Sequence, residues 1–191
     1  MGTLEKFDAM LRGGEISTEE ALELFNGLEP VNLEFMMGRW RGCEVQTNHL
    51  LNHLLEVTGW YGKEFIDGDR VHPLLFLDGN NQVLKVSPNP LVVNLGLRLV
   101  GLFPALKQQA MKSVFRSMSW ILKTEVSQAR VRMMEYRQKV SATMIYDRLP
   151  IHDIFRRVDD NTVLGLMDFK GVPQPFFFVL KRDVAGSEQE I

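Results

Sequence analysis

The run Gly38-Arg39-Trp40-Arg41-Gly42 decides how this chain is expected to fold. Two glycines bracket a tryptophan at the point where an apolar stretch, 33–37, becomes polar. Glycine within a strand usually marks a bulge, a bend or the close approach of another backbone. A small β-barrel needs such positions, because a sheet that closes on itself has to bend. The run therefore indicates either a strand of a closed sheet with Trp40 held at a bend, or a simple turn with one core tryptophan.

Composition restricts the class of protein. A chain of 191 residues can form one well-cored domain. Its 22 basic and 24 acidic residues leave almost no net charge, which argues against nucleic acid as a partner. The single cysteine, Cys43, excludes an intramolecular disulfide and is typical of a reducing compartment. With no signal peptide and no uninterrupted apolar run of membrane-spanning length, we expect a soluble cytoplasmic protein.

The order of patterns along the chain predicts a helical start followed by strands. Residues 1–30 contain two short amphipathic helices, the second opened by a capping box at Ser17 and Glu20. The stretches 31–90 and 125–184 alternate with period two between turn residues, and residues 185–191 are expected to fray. Neither block of strands could bury a core alone. We therefore predict one α+β domain, mainly β, whose core is an antiparallel barrel of about eight strands.

A helical insertion at 91–124 separates the two blocks of strands. Apolar residues recur there at spacings of three and four, including Phe103, Leu106 and Ala110, and the opposite side carries basic but no acidic residues before Glu125. One interpretation is an amphipathic helix that packs against the barrel wall. The other is a portal helix over the barrel mouth that transiently contacts anionic lipid at a membrane surface.

The glycine–tryptophan run resembles the bacterial GXWXG family, and the stretches 141–147 and 163–168 resemble the domain of unknown function that follows it there. Gly-x-Trp is also similar to the opening motif of lipocalins, the calycin class. The resemblance implies a lipocalin-like barrel, and it supplies no catalytic residues. In that class a basic side chain from the last strand covers the tryptophan at the closed end. Arg182 has the matching parity, so Gly38, Trp40, Gly42 and Arg182 form the implied structural motif.

Motifs for chemistry are weak. The sequence has no nucleophile elbow and no phosphate-binding loop, and His49 and His53 alone do not make a zinc site. We therefore predict no catalytic residue, no metal site and no cofactor. A ligand cavity is better supported, because methionine and aromatic side chains occupy positions of plausible inward parity. These candidate wall residues are His72, Leu74, Phe76, Met133, Met144, Tyr146, Phe176 and Phe178.

The sequence leaves three functions open. The first is a non-enzymatic protein that holds a hydrophobic small molecule, such as a fatty acid or phospholipid, by apolar contact with few polar anchors. The second is a haem or redox-cofactor protein, or an enzyme, that uses the same cavity with His72 as ligand or base. The third is an interaction module whose barrel is filled by its own side chains. The oligomeric state is not predicted.

Overall fold

A computed structural model describes residues 14–47, 58–78, 82–90 and 122–183, together with positions 5, 7, 11, 49, 52, 55 and 80. The structural statements below concern this part of the chain. Most of the predicted helical insertion, including Phe103, Leu106 and Ala110, lies outside the described residues, as does the predicted frayed tail.

The described residues form two helices and ten strands. The helices are α1 (Thr18–Gly27) and α2 (Leu33–Met36). The strands are β1 (Glu29–Pro30), β2 (Gly38–Glu44), β3 (Trp60–Phe65), β4 (Val71–Leu77), β5 (Val83–Lys85), β6 (Ala129–Tyr136), β7 (Lys139–Tyr146), β8 (Ile151–Arg157), β9 (Thr162–Phe169) and β10 (Phe176–Arg182).

Eight of these strands close into a barrel. Neighbours follow the order β8-β7-β6-β4-β3-β2-β10-β9, and β9 pairs again with β8, every pair being antiparallel. β1 extends the sheet beside β8, and β5 pairs with β4. The pairing recorded between β4 and β6 is a single pair, Val71 with Ala129. The predicted antiparallel, lipocalin-like barrel of about eight strands is confirmed.

Successive side chains point to opposite faces of each strand, so the buried apolar residues form two separate clusters. One fills the barrel and includes Trp40, Phe155 and Phe178. The other lies outside the barrel, where α1 packs on β8, β9 and β10 through contacts such as Phe25 with Phe177, whose ring centroids are 6.3 Å apart. The capping box opens α1, since the Glu20 amide donates to the Ser17 hydroxyl over 3.1 Å.

Two glycines allow β2 and β3 to bend together. A Cβ on Gly42 would lie 2.1 Å from the Trp60 ring, so only glycine leaves room for that indole. Gly62 has a φ of 151° and would place a Cβ 1.9 Å from the Trp40 carbonyl oxygen. The register of β3 against β4 shifts around Gly62. Because of this bulge, Trp60 and Lys63 both face the interior although they are three residues apart.

Candidate ligand-binding site

One end of the barrel is closed by α2, and we call it the closed end. Asn32 begins this helix by accepting a hydrogen bond from the Phe35 amide over 2.8 Å. Trp40 lies beneath the helix, is 0% exposed, and donates its indole N–H to the Met36 carbonyl over 2.8 Å. The Arg182 guanidinium lies 4.3 Å from the centroid of the Trp40 ring. The same guanidinium donates to the carbonyls of Phe35 (2.8 Å) and Met37 (2.9 Å), so the polar groups here have partners.

A cavity of about 320 Å³ lies at the other end of β2, which we call the cavity end. Trp40 pairs with Arg182 across β2 and β10, whereas Glu44 pairs with Phe178, four residues and about 13 Å further along. The described residues that line the cavity are Gly42, Cys43, Glu44, Gln46, Leu55 and Trp60.

The polar groups of the cavity end are only partly satisfied. Glu44 accepts hydrogen bonds from the Leu55 amide and, over 3.3 Å, from the Gln46 side-chain amide. Within the described part of the chain, neither the Trp60 indole N–H nor the Gln46 side-chain carbonyl has a hydrogen-bond partner, although both atoms are buried. Buried polar groups in folded proteins are nearly always paired, so these two atoms require an explanation.

A buried ion pair lies deeper in the barrel. The Lys63 ammonium is 2.8 Å from Oδ2 of Asp153, and the two side chains are 3% and 1% exposed. Lys63 also donates to the Pro73 carbonyl over 3.2 Å and to the Tyr146 hydroxyl over 3.5 Å. Three aromatic rings surround the ammonium at 5.0–5.7 Å from their centroids, those of Trp60, Tyr146 and Phe178. Trp60 therefore connects the cavity with the ion pair.

Burial raises the pKa values of two groups in this inner cluster, Asp153 and Tyr146. Removal from water raises the pKa of Asp153, while the charge and hydrogen bond of Lys63 act in the opposite direction. Burial also raises the pKa of Tyr146 well above its ordinary value, and the nearby Asp153 carboxylate adds to the effect. Tyr146 therefore stays a neutral phenol near neutral pH. The second oxygen of Asp153, Oδ1, has no hydrogen-bond partner among the described residues and remains an acceptor.

Most of the predicted wall residues lie in the barrel interior. Phe76, Met144, Tyr146, Phe176 and Phe178 belong to the interior cluster, and Leu74 is partly buried against it. The cavity described above has a different lining. The interior residues therefore pack around the ion pair and the Trp60 ring, while the described lining of the cavity comes from β2, Gln46, Leu55 and Trp60.

Two of the predicted wall residues, His72 and Met133, do not belong to the interior cluster. Val71 faces the interior, so its neighbour His72 faces outward, opposite Glu64. There, burial and the positive charge of Lys85 lower the pKa of His72. Met133 is 41% exposed. It has inward parity, but it lies beyond Val131, the last β6 residue in the interior cluster, and β6 is paired with β4 only at Ala129.

The sequence analysis missed the residues that give the interior its charge. It limited inward ionisable groups to His72 and Arg182, whereas the structure places Lys63 and Asp153 inside. A signal for Asp153 was present, because it alternates with the interior residues Ile151 and Phe155. Lys63 was hidden by the bulge at Gly62, which changes the facing of β3 between Trp60 and Lys63.

The described residues hold no metal-binding cluster and no membrane-spanning helix. No group of three or more His, Cys, Asp and Glu side chains is arranged there to hold a metal ion. His49 instead lies 3.0 Å from the Gln174 carbonyl, with its ring 5.3 Å from that of Phe176. No helix in the same part of the chain has both the length and the apolar character needed to cross a membrane.

Comparisons with known proteins agree with the motif and the fold. A family model described as "GXWXG protein" matches residues 23–80, and one described as "Domain of unknown function (DUF4334)" matches residues 127–182. A solved structure titled "Crystal structure of protein from Thermomonospora curvata" is 30% identical in sequence, with a TM-score of 0.70. The match covers 96% of this chain and 99% of that one. No curated protein matches this chain.

Proposed function

This chain belongs to the GXWXG protein family, and we propose that it binds a hydrophobic small molecule in its barrel without converting it chemically. The ligand class we propose is a molecule with a long hydrocarbon chain, the class that includes the fatty acid and the phospholipid considered above. The observation that carries this proposal is the cavity of about 320 Å³ beside Trp60, where β2 and β3 bend around Gly42. We place this activity in the cytoplasm, in keeping with the lone Cys43.

The size and lining of the cavity support a small ligand. Binding pockets for small molecules have volumes of about 300–1,000 Å³ and combine apolar walls with a few polar groups. This cavity falls at the lower end of that range. Trp60 and Leu55 supply apolar surface, and the Gln46 and Glu44 side chains supply the polar groups. A single hydrocarbon chain suits such a volume better than a pair of chains.

The interior beyond the cavity supports an apolar occupant. The Trp60 ring meets Phe178 edge to face, with centroids 5.8 Å apart, and Phe178 meets Phe155 in the same way at 6.2 Å. A hydrocarbon chain against these rings would gain about 0.8 kcal/mol for each buried methylene. Binding should therefore strengthen as the chain lengthens, until the available volume is full.

Displacement of a neutral fluorescent dye, Nile red, by saturated fatty acids from octanoic to hexadecanoic acid tests the proposal. We expect affinity to rise with chain length and then to level off. Replacement of Leu55 by tryptophan fills part of the cavity and should shorten the chain length at which affinity levels off. Leu77→Trp makes the same change at an exposed position on β4 and serves as the control.

Two results would contradict the proposal. One is that no acid displaces the dye at micromolar concentration, and the other is that affinity is independent of chain length. Either result would favour an interaction module whose barrel is filled by its own side chains.

A further inference from the structure

The cavity end has an unusual set of polar atoms. Trp60 provides a buried N–H donor without a partner, and Gln46 provides a buried carbonyl acceptor without a partner. The Gln46 orientation is fixed, because its NH₂ group donates to Glu44 over 3.3 Å. Further inside, Asp153 Oδ1 is a second unpartnered acceptor. A ligand that satisfied these atoms would need both to donate and to accept hydrogen bonds.

The charges around the cavity disfavour an anionic ligand. Among the six described residues that line it, Glu44 carries the one acidic side chain and none carries a basic one. Lys63 is the cation that the described residues place nearby in the interior, and its charge is compensated by Asp153 at 2.8 Å. The Arg182 guanidinium lies at the closed end and donates there to two backbone carbonyls. Within the described part of the chain, a carboxylate at the cavity end would therefore be desolvated without an uncompensated positive charge to pair with.

A cationic ligand gains little here as well. An ammonium group has three donors and no acceptor, so it cannot accept a hydrogen bond from the Trp60 indole N–H. A carboxylate, conversely, has no donor for the Gln46 carbonyl. A neutral hydroxyl group can donate and accept at once.

From this set of groups we infer that the ligand is an uncharged molecule whose hydrocarbon chain ends in a hydroxyl group. The inference rests on the proposed function, because it specifies the headgroup of the hydrophobic molecule that the barrel binds. The hydroxyl accepts from the Trp60 indole N–H and donates to the buried side-chain carbonyl of Gln46. Chain length sets the overall strength of binding, and the headgroup sets the preference among molecules of equal length.

Three ligands with the same twelve-carbon chain test the inference: dodecanol, dodecanoate and dodecylamine, each competing with Nile red near neutral pH. We expect dodecanol to bind about tenfold more tightly than either charged ligand, since each charged headgroup leaves one of the two buried atoms without a hydrogen-bond partner. Equal or tighter binding of dodecanoate or dodecylamine would overturn the headgroup inference and leave the proposed function standing. If none of the three displaces the dye, the proposed function itself fails.

Two variants of the cavity test where the headgroup of the ligand binds. Trp60→Phe keeps an aromatic ring and removes the N–H, and Gln46→Met keeps the length of the side chain and removes the carbonyl. Trp60→Phe should lower the preference for dodecanol over dodecylamine, and Gln46→Met should lower the preference for dodecanol over dodecanoate, each by about three- to tenfold. Gln82→Met makes the same change as Gln46→Met at an exposed turn and should leave the preference unaltered. An unchanged preference in both cavity variants, with folded protein verified by circular dichroism, would show that a bound water or the protein alone accommodates these atoms, and would overturn the assignment.

Discussion

The two tryptophans at opposite ends of β2 and β3 have contrasting surroundings. At the closed end, Trp40 is fully buried, its N–H is bonded to the Met36 carbonyl, and Arg182 covers its ring. At the cavity end, Trp60 is also buried and packs edge to face on Phe178, but its N–H has no partner in the described structure. Both tryptophans lie where glycines let β2 and β3 bend, with the Trp60 ring against Gly42 and the Trp40 carbonyl against Gly62. Only the Trp40 N–H has a hydrogen-bond partner among the described residues.

This difference separates a structural role from a binding role. A side chain whose polar and apolar surfaces are all matched by the protein contributes to stability and offers nothing to a ligand. A side chain with an unmatched buried donor pays a cost in the free protein that a ligand can remove. We therefore assign stability to the Trp40 end and binding to the Trp60 end, and the following predictions test that division.

Trp40→Ala should produce the largest loss of stability. Truncation of a core aromatic residue costs about 3–5 kcal/mol, and here the Met36 carbonyl also loses its donor while Arg182 loses the ring beneath it. We expect a value at the upper end of that range in denaturant melts. A loss below about 1 kcal/mol would contradict the structural role of the closed end.

Lys63→Met should cost about 3 kcal/mol, because it leaves the Asp153 carboxylate buried without its ion-pair partner. The double variant Lys63→Met/Asp153→Leu removes both charges and should recover most of that stability. Lys170→Met, at an exposed turn, is the matched control for the loss of one lysine. Equal destabilisation by the single and double variants would mean that the ion pair is not what stabilises this part of the interior.

The stabilities of the two ends can be compared directly when both tryptophans are replaced by phenylalanine. Trp40→Phe and Trp60→Phe remove similar ring area, but only Trp40→Phe removes a hydrogen bond that the described residues make. We expect Trp40→Phe to be less stable than Trp60→Phe by about 1 kcal/mol in paired denaturant melts. The opposite order would place the structural tryptophan at the cavity end.

The smallest predicted effect concerns pH. Burial, with the charge of Lys85, holds the pKa of His72 below its ordinary value of 6.5, against the attraction of Glu64 and Glu125. In the unfolded chain His72 is protonated near its ordinary pKa, whereas in the folded chain it is protonated only at lower pH. The contribution of His72 to stability is therefore complete above about pH 6.5 and falls as the solution is acidified. His72→Gln should flatten that fall. His49, whose pKa is also lowered by burial, leaves a residual slope of the same sign. Identical pH profiles for the variant and the parent protein would contradict the assignment.

The sequence was informative about the fold for a physical reason. Glycines at 38 and 42, alternation with period two and turn residues such as Asp159 and Asn161 are local properties, and each one constrains the local backbone. Arg182 was found because β10 is regular and its parity can be counted from Phe176. Local rules of this kind predicted a closed antiparallel sheet before any contact was known.

The site was harder to predict, because it depends on irregular positions. Counting parity along β4 placed His72 inside, but the shifted register around Gly62 puts Lys63 inside and His72 outside. Met133 has the correct parity and still projects into solvent, since parity does not show where the neighbouring strand ends. The cavity depends on Gln46 and Leu55, which lie outside regular strands. Such positions follow from tertiary packing and not from local pattern.

The most direct test follows the indole N–H resonances of the ¹⁵N-labelled protein while dodecanol is added. Trp40→Phe and Trp60→Phe assign the two signals, and the third tryptophan, Trp120, lies outside the described residues. We predict a large shift of the Trp60 signal as it gains a hydrogen bond, and almost none for Trp40, whose N–H is already bonded to the Met36 carbonyl. A Trp60 signal that stays in place while dodecanol binds, or a Trp40 signal that moves as much, would contradict the assignment of binding to the cavity end.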